Sequence, residues 1–326
     1  MTDLTFLEIL YFIIPLMIAS TIPLMLVATG ALYSERSGVV NIALEGIMLM
    51  GAFVGAVVMK QLEPTELGTQ MIALVGLTVG MITGIAFSFL HAFAAINMRA
   101  NQIISATALN MFAPAFAIFM NRTFSEQGTQ RVLLARNYRI ASVEFLGDIP
   151  FIGDLFFQGA YLSTYIGIVL FVVAAVFLYK TKWGLRIRAC GENPHAADSL
   201  GINIYKIRYA GVLVSGALAG MGGVIFVLSF ATAFNASVAG FGFLALAVLI
   251  FGNWNPKRII LAASFFALMR IISNTTAVVP FLRDLNLDPE LYQMLPYIAT
   301  LVVLAFVSKN SAAPRAAGEP YDPGKR

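Results

Sequence analysis

Charge is what this sequence has least of. Only 12% of its 326 residues are Asp, Glu, Lys or Arg, about half the fraction of an ordinary soluble domain. So few charges cannot cover a water-facing surface around a chain of this length, which excludes a soluble enzyme and fits a protein whose solvent is mostly lipid. Cysteine is nearly absent: Cys190 stands alone, so no internal disulfide can form. Two histidines and one cysteine lie far apart and make no metal-ligand cluster. No G-x-x-x-x-G-K-[ST] run occurs; the only Gly-Lys pair, Gly324-Lys325, is followed by Arg326 at the chain end. The chain therefore does not itself cradle ATP phosphates. There is no G-x-S-x-G elbow, and nothing else supports an enzyme. A basic stripe with interleaved aromatics is also missing, so the net charge of +4 is not a nucleic-acid footprint.

What is there is apolar. Hydrophobic residues make up 59%, and mean hydropathy is +0.82. A helix crossing a bilayer needs about 20 mostly apolar residues. Runs near 7–30, 39–59, 71–95, 101–120, 160–179, 207–229, 240–252, 259–279 and 291–308 predict an all-α, polytopic transmembrane bundle of about nine segments (about 8–10). The run 240–252 is too short to cross alone and reads as a half-helix. Asp3 and Glu8 precede the first basic residue, Arg36, which is not the charge order of a secretory signal peptide. Lys180, Lys182, Arg186, Arg188, Lys206 and Arg208 mark 180–208 as cytoplasmic. Alternation then places the N-terminus outside and the C-terminus inside, with Arg36, Arg99, Lys257 and Arg258 also inside. The loop 121–159 falls outside although it holds Arg122, Arg131, Arg136 and Arg139. Residues 1–308 form the membrane domain, and 309–326, rich in Pro, Ala, Gly and charge, read as a disordered cytoplasmic tail.

Four features carry structure or chemistry. Gly76, Gly80, Gly84 and Ser88, Gly51 and Gly55, and Gly216 and Gly220 recur every four residues, the pattern of close helix packing in lipid. In the loop G191-E-N-P-H-A-A-D-S-L-G201, Asn193 suits a helix N-cap, Pro194 the first helical position and Gly201 the residue past the end. The predicted helix, Pro194–Leu200, is marginal alone and needs a docking surface. Ala196, Ala197 and Leu200 offer it a small apolar face framed by Glu192, His195 and Asp198. That describes either a coupling helix for a separate ATPase or a loop helix packed on its own chain. Glu45 and Arg270 are ionisable at membrane depth, costly unless paired, and are expected to face the bundle interior. Finally, G38-V-V-N-I-A-L-E and G240-F-G-F-L-A-L-A echo each other after non-helical stretches; paired interrupted helices point to an internal repeat and a transport site.

Three runs, E35-R-S-G-V-V-N-I-A-L-E-G-I-M-L-M-G-A-F, R188-A-C-G-E-N-P-H-A-A-D-S-L-G-I and G240-F-G-F-L-A-L-A-V-L-I-F-G-N-W-N-P, closely resemble the signatures of the branched-chain amino acid/ribose-type ABC importer permeases, and within them the nucleoside or simple-sugar branch. The resemblance spans about 8–308. It implies a subunit of a bacterial inner-membrane importer working beside a second, homologous permease. An ABC ATPase, often double-cassette, would carry the ATP and magnesium, none being held by this chain, and a binding lipoprotein would deliver substrate from outside. It implies that Glu192–Gly201 meets the ATPase. It also implies that the interrupted helices near Asn41–Glu45 and Asn235–Phe243 line the pathway, with Asn41, Asn235 and Ser237 bonding ribose or base and Phe234, Phe241 and Phe243 stacking. A competing reading is an ion-coupled secondary transporter with Glu45 as carrier; a membrane enzyme is a third.

Overall fold

The computed structural model describes residues 6–124, 131–142, 147, 149–230, 233–275, 288, 291–292, 294–307 and 312–324. Helix α1 (Phe6–Arg36) holds 31 residues, about 46 Å at the standard rise, more than a bilayer core needs. Pro15 and Pro23 lie inside it, as membrane helices allow when neighbours satisfy the freed carbonyls. Then come α2 (Leu44–Leu62), α3 (Thr69–Ala92) with a π-helical turn at Phe93–Asn97, and α4 (Gln102–Phe124). After short α5 (Ile152–Phe156) follow α6 (Leu162–Lys180), α7 (Lys182–Glu192), α8 (Pro194–Ser199) and α9 (Ile204–Phe230). The second half ends with α10 (Phe241–Phe251), α11 (Pro256–Asn274) and α12 (Leu295–Val307).

Helix α9 is the axis of the bundle, packed on α1, α2 and α3. Its approach to α2 and α3 is set by glycine. A Cβ on Gly220 would collide with the Gly80 carbonyl, one on Gly84 with the Gly216 carbonyl, and one on Gly51 with the Gly220 backbone. The four-residue glycine spacing thus brings three backbones into direct contact, where dispersion replaces the missing hydrophobic drive between helices in lipid. Gly220→Leu is expected to push these helices apart at a cost on the order of 3 kcal/mol. The measurement is the melting temperature and monodispersity of the detergent-purified chain; a wild-type profile would contradict the packing account.

Nine helices answer the nine apolar runs, but six of them, among the described residues, are long and apolar enough to cross a membrane. The shortfall has local causes. Helix α10 has 11 residues, α11 carries Lys257, Arg258 and Arg270, and the described part of α12 has 13. Helix α2 begins only at Leu44 because Ser37–Ala43 turns at the end of α1. The all-α expectation also misses four short strands among the described residues. In 121–159, Val132–Leu133 (β1) and Arg139–Ser142 (β2) pair antiparallel with Ala233–Phe234 (β4) and Gln158–Tyr161 (β3). Glu63 at the end of α2 anchors this region by accepting from the Ala135 and Arg136 amides and the Tyr138 hydroxyl.

Of the expected tail 309–326, residues 309–311 and 325–326 lie outside the described residues. Ala312–Gly324 lies folded against the bundle, with Ala316 and Tyr321 buried. Composition alone reads as disorder because the segment has no core of its own; it borrows one from the helix ends.

Candidate functional site

The three signature runs meet at one end of the bundle, the end that carries Arg36, Lys182, Arg186, Arg188, Lys257 and the segment 312–324. At the last turn of α1, Arg36 Nη1 lies 3.3 Å from Glu192 Oε1, and its Nη2 donates to the Trp254 carbonyl at 3.2 Å. Trp254 Nε1 donates to Glu35 Oε2, and the Tyr179 hydroxyl donates to the Trp254 carbonyl at 2.8 Å. Gly191 presses on the Arg36 carbonyl so closely that a Cβ would not fit. The turn between α10 and α11 reaches this cluster through two successive left-handed residues, Asn253 (φ 48°) and Trp254 (φ 52°), a conformation that side chains adopt at a cost and that clusters at functional sites. The ion pair is half-exposed at Glu192, so it fixes register more than it stabilises. Behind it Cys190 is fully buried, and burial pushes its thiol up to about 11, leaving it an inert packing residue.

Helix α8 projects from this cluster. Asn193 Oδ1 accepts from the Ala196 amide at 3.0 Å, Pro194 takes the first helical position, and Gly201 adopts φ +78°. The Gly201 amide returns to Asp198 O and that of Ile202 to Ala197 O, the closing pair of a glycine-terminated helix. The sequence placed these caps correctly, although the helix ends at Ser199 rather than Leu200. Its face differs from the expected one. Pro194 and Ala197 are buried on this chain, whereas Glu192, Asn193, Ala196 and Leu200 are turned outward, Leu200 at 82% exposure. His195 leans on the Tyr321 ring, centroids 5.3 Å apart. The helix is thus backed by its own chain on one side and presents an unmatched leucine on the other.

Elsewhere in the bundle the start of α2 meets the start of α10. Glu45, in the first turn of α2, accepts from the Gly240 and Gly242 amides at 2.9 and 2.7 Å. These are free N–H groups at the start of α10, so the carboxylate caps that half-helix. Gly242 must be glycine here, since a Cβ would overlap the Glu45 backbone. Ala236 and Ala239 (φ 53° each) and Gly240 (φ 77°) give the entry to α10 a left-handed run like the one at its exit.

The remaining sequence-predicted pathway residues separate. Asn41 is fully buried; its Nδ2 donates to Ser215 Oγ at 3.1 Å and its Oδ1 accepts from the Ala43 amide. Both ends of its amide are engaged in holding the interrupted turn. Phe234 packs on Phe53 within a strand. Phe241 is buried among Phe226 and Phe230 under the Arg270 guanidinium, 4.5 Å from its ring centroid. Asn235 and Ser237 are exposed, Ser237 Oγ accepting from the Ala239 amide. Phe243 alone of the three phenylalanines opens onto space. It lines a cavity of about 380 Å³ between α10, α11 and α12 with Arg270, Ser273, Asn274, Tyr297 and Thr300. Arg270 holds its place there by donating to the Ala239 carbonyl at 2.8 Å.

Sequence reasoning missed Glu35, Arg36 and Trp254 as a working cluster, although all three lie inside the quoted signatures; their shared position in motifs far apart in the chain was the available signal. Among the described residues no group of three or more His, Cys, Asp or Glu is placed to hold a metal.

Known proteins align with this chain over nearly its whole length. It is 38% identical to the nucleoside ABC transporter permease protein NupC of Lactococcus lactis subsp. cremoris, covering 96% of this chain and 97% of that one. It is 39% identical to the guanosine ABC transporter permease protein NupQ of Bacillus subtilis, covering 98% and 99%. A second Lactococcus protein, the nucleoside ABC transporter permease protein NupB, matches at 25% identity over 88% of this chain and 76% of its own length. Residues 13–304 match the family described as the permease component of the branched-chain amino acid transport system. The chain belongs to that permease family.

Proposed function

We propose that this chain is the pathway-forming subunit of a bacterial ATP-driven importer for a nucleoside, set in the inner membrane with the α8 end in the cytoplasm. The observation that carries the reading is α8 itself: a capped two-turn helix, backed by its own chain, with Leu200 projecting outward. Such a helix fits a groove on a separate ATPase, which binds ATP and magnesium; Glu192, Asn193, Ala196 and Leu200 make the contact, and Pro194, Ala197 and Gly201 shape it. The basic residues around it agree with a cytoplasmic side. Relatives named NupB and NupC in one organism support a second, homologous permease as the partner, and a substrate-binding lipoprotein serves the opposite face. The halves α1–α4 and α9–α12 form an inverted repeat. Long α1 ends, and long α9 begins, at the basic end, and each leads through a non-helical stretch into a shorter helix, an arrangement that places a transport site where the interrupted helices cross.

Substrate passes that crossing beside the cavity under Arg270. Its size falls within the range of small-molecule sites. Phe243 and Tyr297 offer flat faces for a base, Arg270 a fork for base carbonyl and ring-nitrogen acceptors, and Ser273, Asn274 and Thr300 hydroxyl and amide partners for ribose. A well-placed arginine fork on a base edge contributes about 1–3 kcal/mol. Arg270→Gln is therefore expected to lower nucleoside uptake about tenfold, with the ATPase still co-purifying. The test is ATP-driven uptake of labelled guanosine and other nucleosides into proteoliposomes holding the full complex. Uptake of glucose with no uptake of any nucleoside would overturn the substrate, and uptake indifferent to ATP would overturn the mechanism.

A further inference from the structure

The segment 312–324 touches almost every connection at the basic end. The Ala312 amide donates to Asn253 Oδ1 at 2.7 Å, in the turn between α10 and α11. The Ala316 amide donates to the Gly191 carbonyl at 2.8 Å, at the end of α7, and that of Gly318 to the Gly38 carbonyl at 3.2 Å, after α1. Asp322 pairs with Arg99, between α3 and α4, at 3.4 Å. Tyr321, the one aromatic side chain of the segment, is 6% exposed and sits between His195 of α8 and Tyr205 of α9, ring centroids 5.3 and 5.8 Å away. Ordering a Pro- and Gly-rich chain costs conformational entropy at every residue, so contacts this dispersed mark a segment that is held in place rather than resting there.

Arg208 shows why the segment belongs to the fold. Its side chain is almost fully buried, in the first turns of α9 and against Gly38. It lies beside the C-terminal end of α1, whose dipole favours a cation. Among the described residues its Nε and Nη2 have no hydrogen-bond partner, and its Nη1 donates to the Glu319 carbonyl of the segment at 2.8 Å. A buried guanidinium needs its acceptors, and the segment supplies one.

We infer that residues 312–324 are a strap that locks α8 to the basic ends of α1, α3 and α9, with Tyr321 as the positioning residue, so that force applied to α8 enters the bundle as one body. A six-residue helix cannot transmit force through a loose loop; it needs a rigid back, and Tyr321 supplies it on the side that Pro194 and Ala197 do not. This role rests on the permease reading, whereas the strap itself does not.

Two readouts on the full chain separate them. In the assembled transporter, Tyr321→Ala is expected to lower the nucleoside moved per ATP hydrolysed about tenfold, in line with coupling carried by packed side chains, while the ATPase stays bound and hydrolyses. Tyr321→Phe keeps the ring and retains the ratio. In the detergent-purified chain alone, Tyr321→Ala is expected to raise maleimide labelling of Cys190 severalfold, because the strap is bonded to the adjacent Gly191, and Tyr321→Phe to leave it slow. Labelling that is equally slow in both variants overturns the strap, whatever the protein transports. Faster labelling with an unchanged transport ratio overturns its mechanical role, as does ATPase binding lost in step with transport.

Discussion

Leu200→Asp is expected to cut ATP-driven uptake by roughly thirtyfold, from the 2 kcal/mol or more that a buried anchor contributes at an interface, while the protein inserts and purifies as wild type. The second half of that statement comes from burial. Leu200 is 82% exposed and lies past the end of α8, so a carboxylate there meets water in the isolated chain. The Asn193 cap and the Gly201 turn are untouched. In the assembled importer the same carboxylate would have to enter an apolar groove, where an unpaired charge is costly. Gly201→Val acts by another route: the left-handed φ of +78° penalises a β-branched residue, tilting α8 without charging it, and its effect is expected to be smaller. Uptake and co-purification of the ATPase, measured on the same preparations, decide the matter. Full uptake with Asp at position 200 would remove α8 as the point of contact.

How far these features could be read from the sequence follows from how local their causes are. The caps of α8 are set by neighbours in sequence, Asn193, Pro194 and Gly201, and the sequence places them within one residue. The inward side of the same helix is set by its packing on α7 and α9 and, at His195, by Tyr321, more than a hundred residues away, so the face expected from helical spacing differs at Ala197, which is buried on this chain. Asn41 and Glu45 stood out as polar groups at membrane depth, but their partners, Ser215 and Gly240, lie 174 and 195 residues on, and no pattern in the sequence distinguishes a capped half-helix from an open site. The glycine spacing was legible because period four places small residues on one helix face whatever the partner. For the tail, Pro, Gly and charge signal only that a segment cannot build its own core, not that it cannot use another.

Glu45 supports the sharpest contrast between the ATP-driven reading and an ion-coupled one. A carrier must bind and release its ion on each cycle, so Glu45→Gln, which cannot ionise, would stop transport completely. In the geometry found here both carboxylate oxygens are committed to the Gly240 and Gly242 amides. The group is a cap, and what the site requires is an acceptor. Gln retains one acceptor oxygen and loses the other, so Glu45→Gln is expected to lower stability by the one lost bond to a charged acceptor, about 1.5–3 kcal/mol, while ATP-driven uptake persists. Glu45→Ala removes both acceptors and leaves two N–H groups unsatisfied inside the bundle, each at a cost of several kcal/mol in a region without water. That variant is expected to lose thermal stability and nearly all uptake together, because the start of α10 loses its cap and its fixed place against α2. The decisive comparison is made in vesicles. An ATP-dependent Glu45→Gln protein that ignores an imposed proton or sodium gradient identifies a structural cap at the crossing, whereas a dead Glu45→Gln protein of wild-type stability would make the carboxylate itself the moving part.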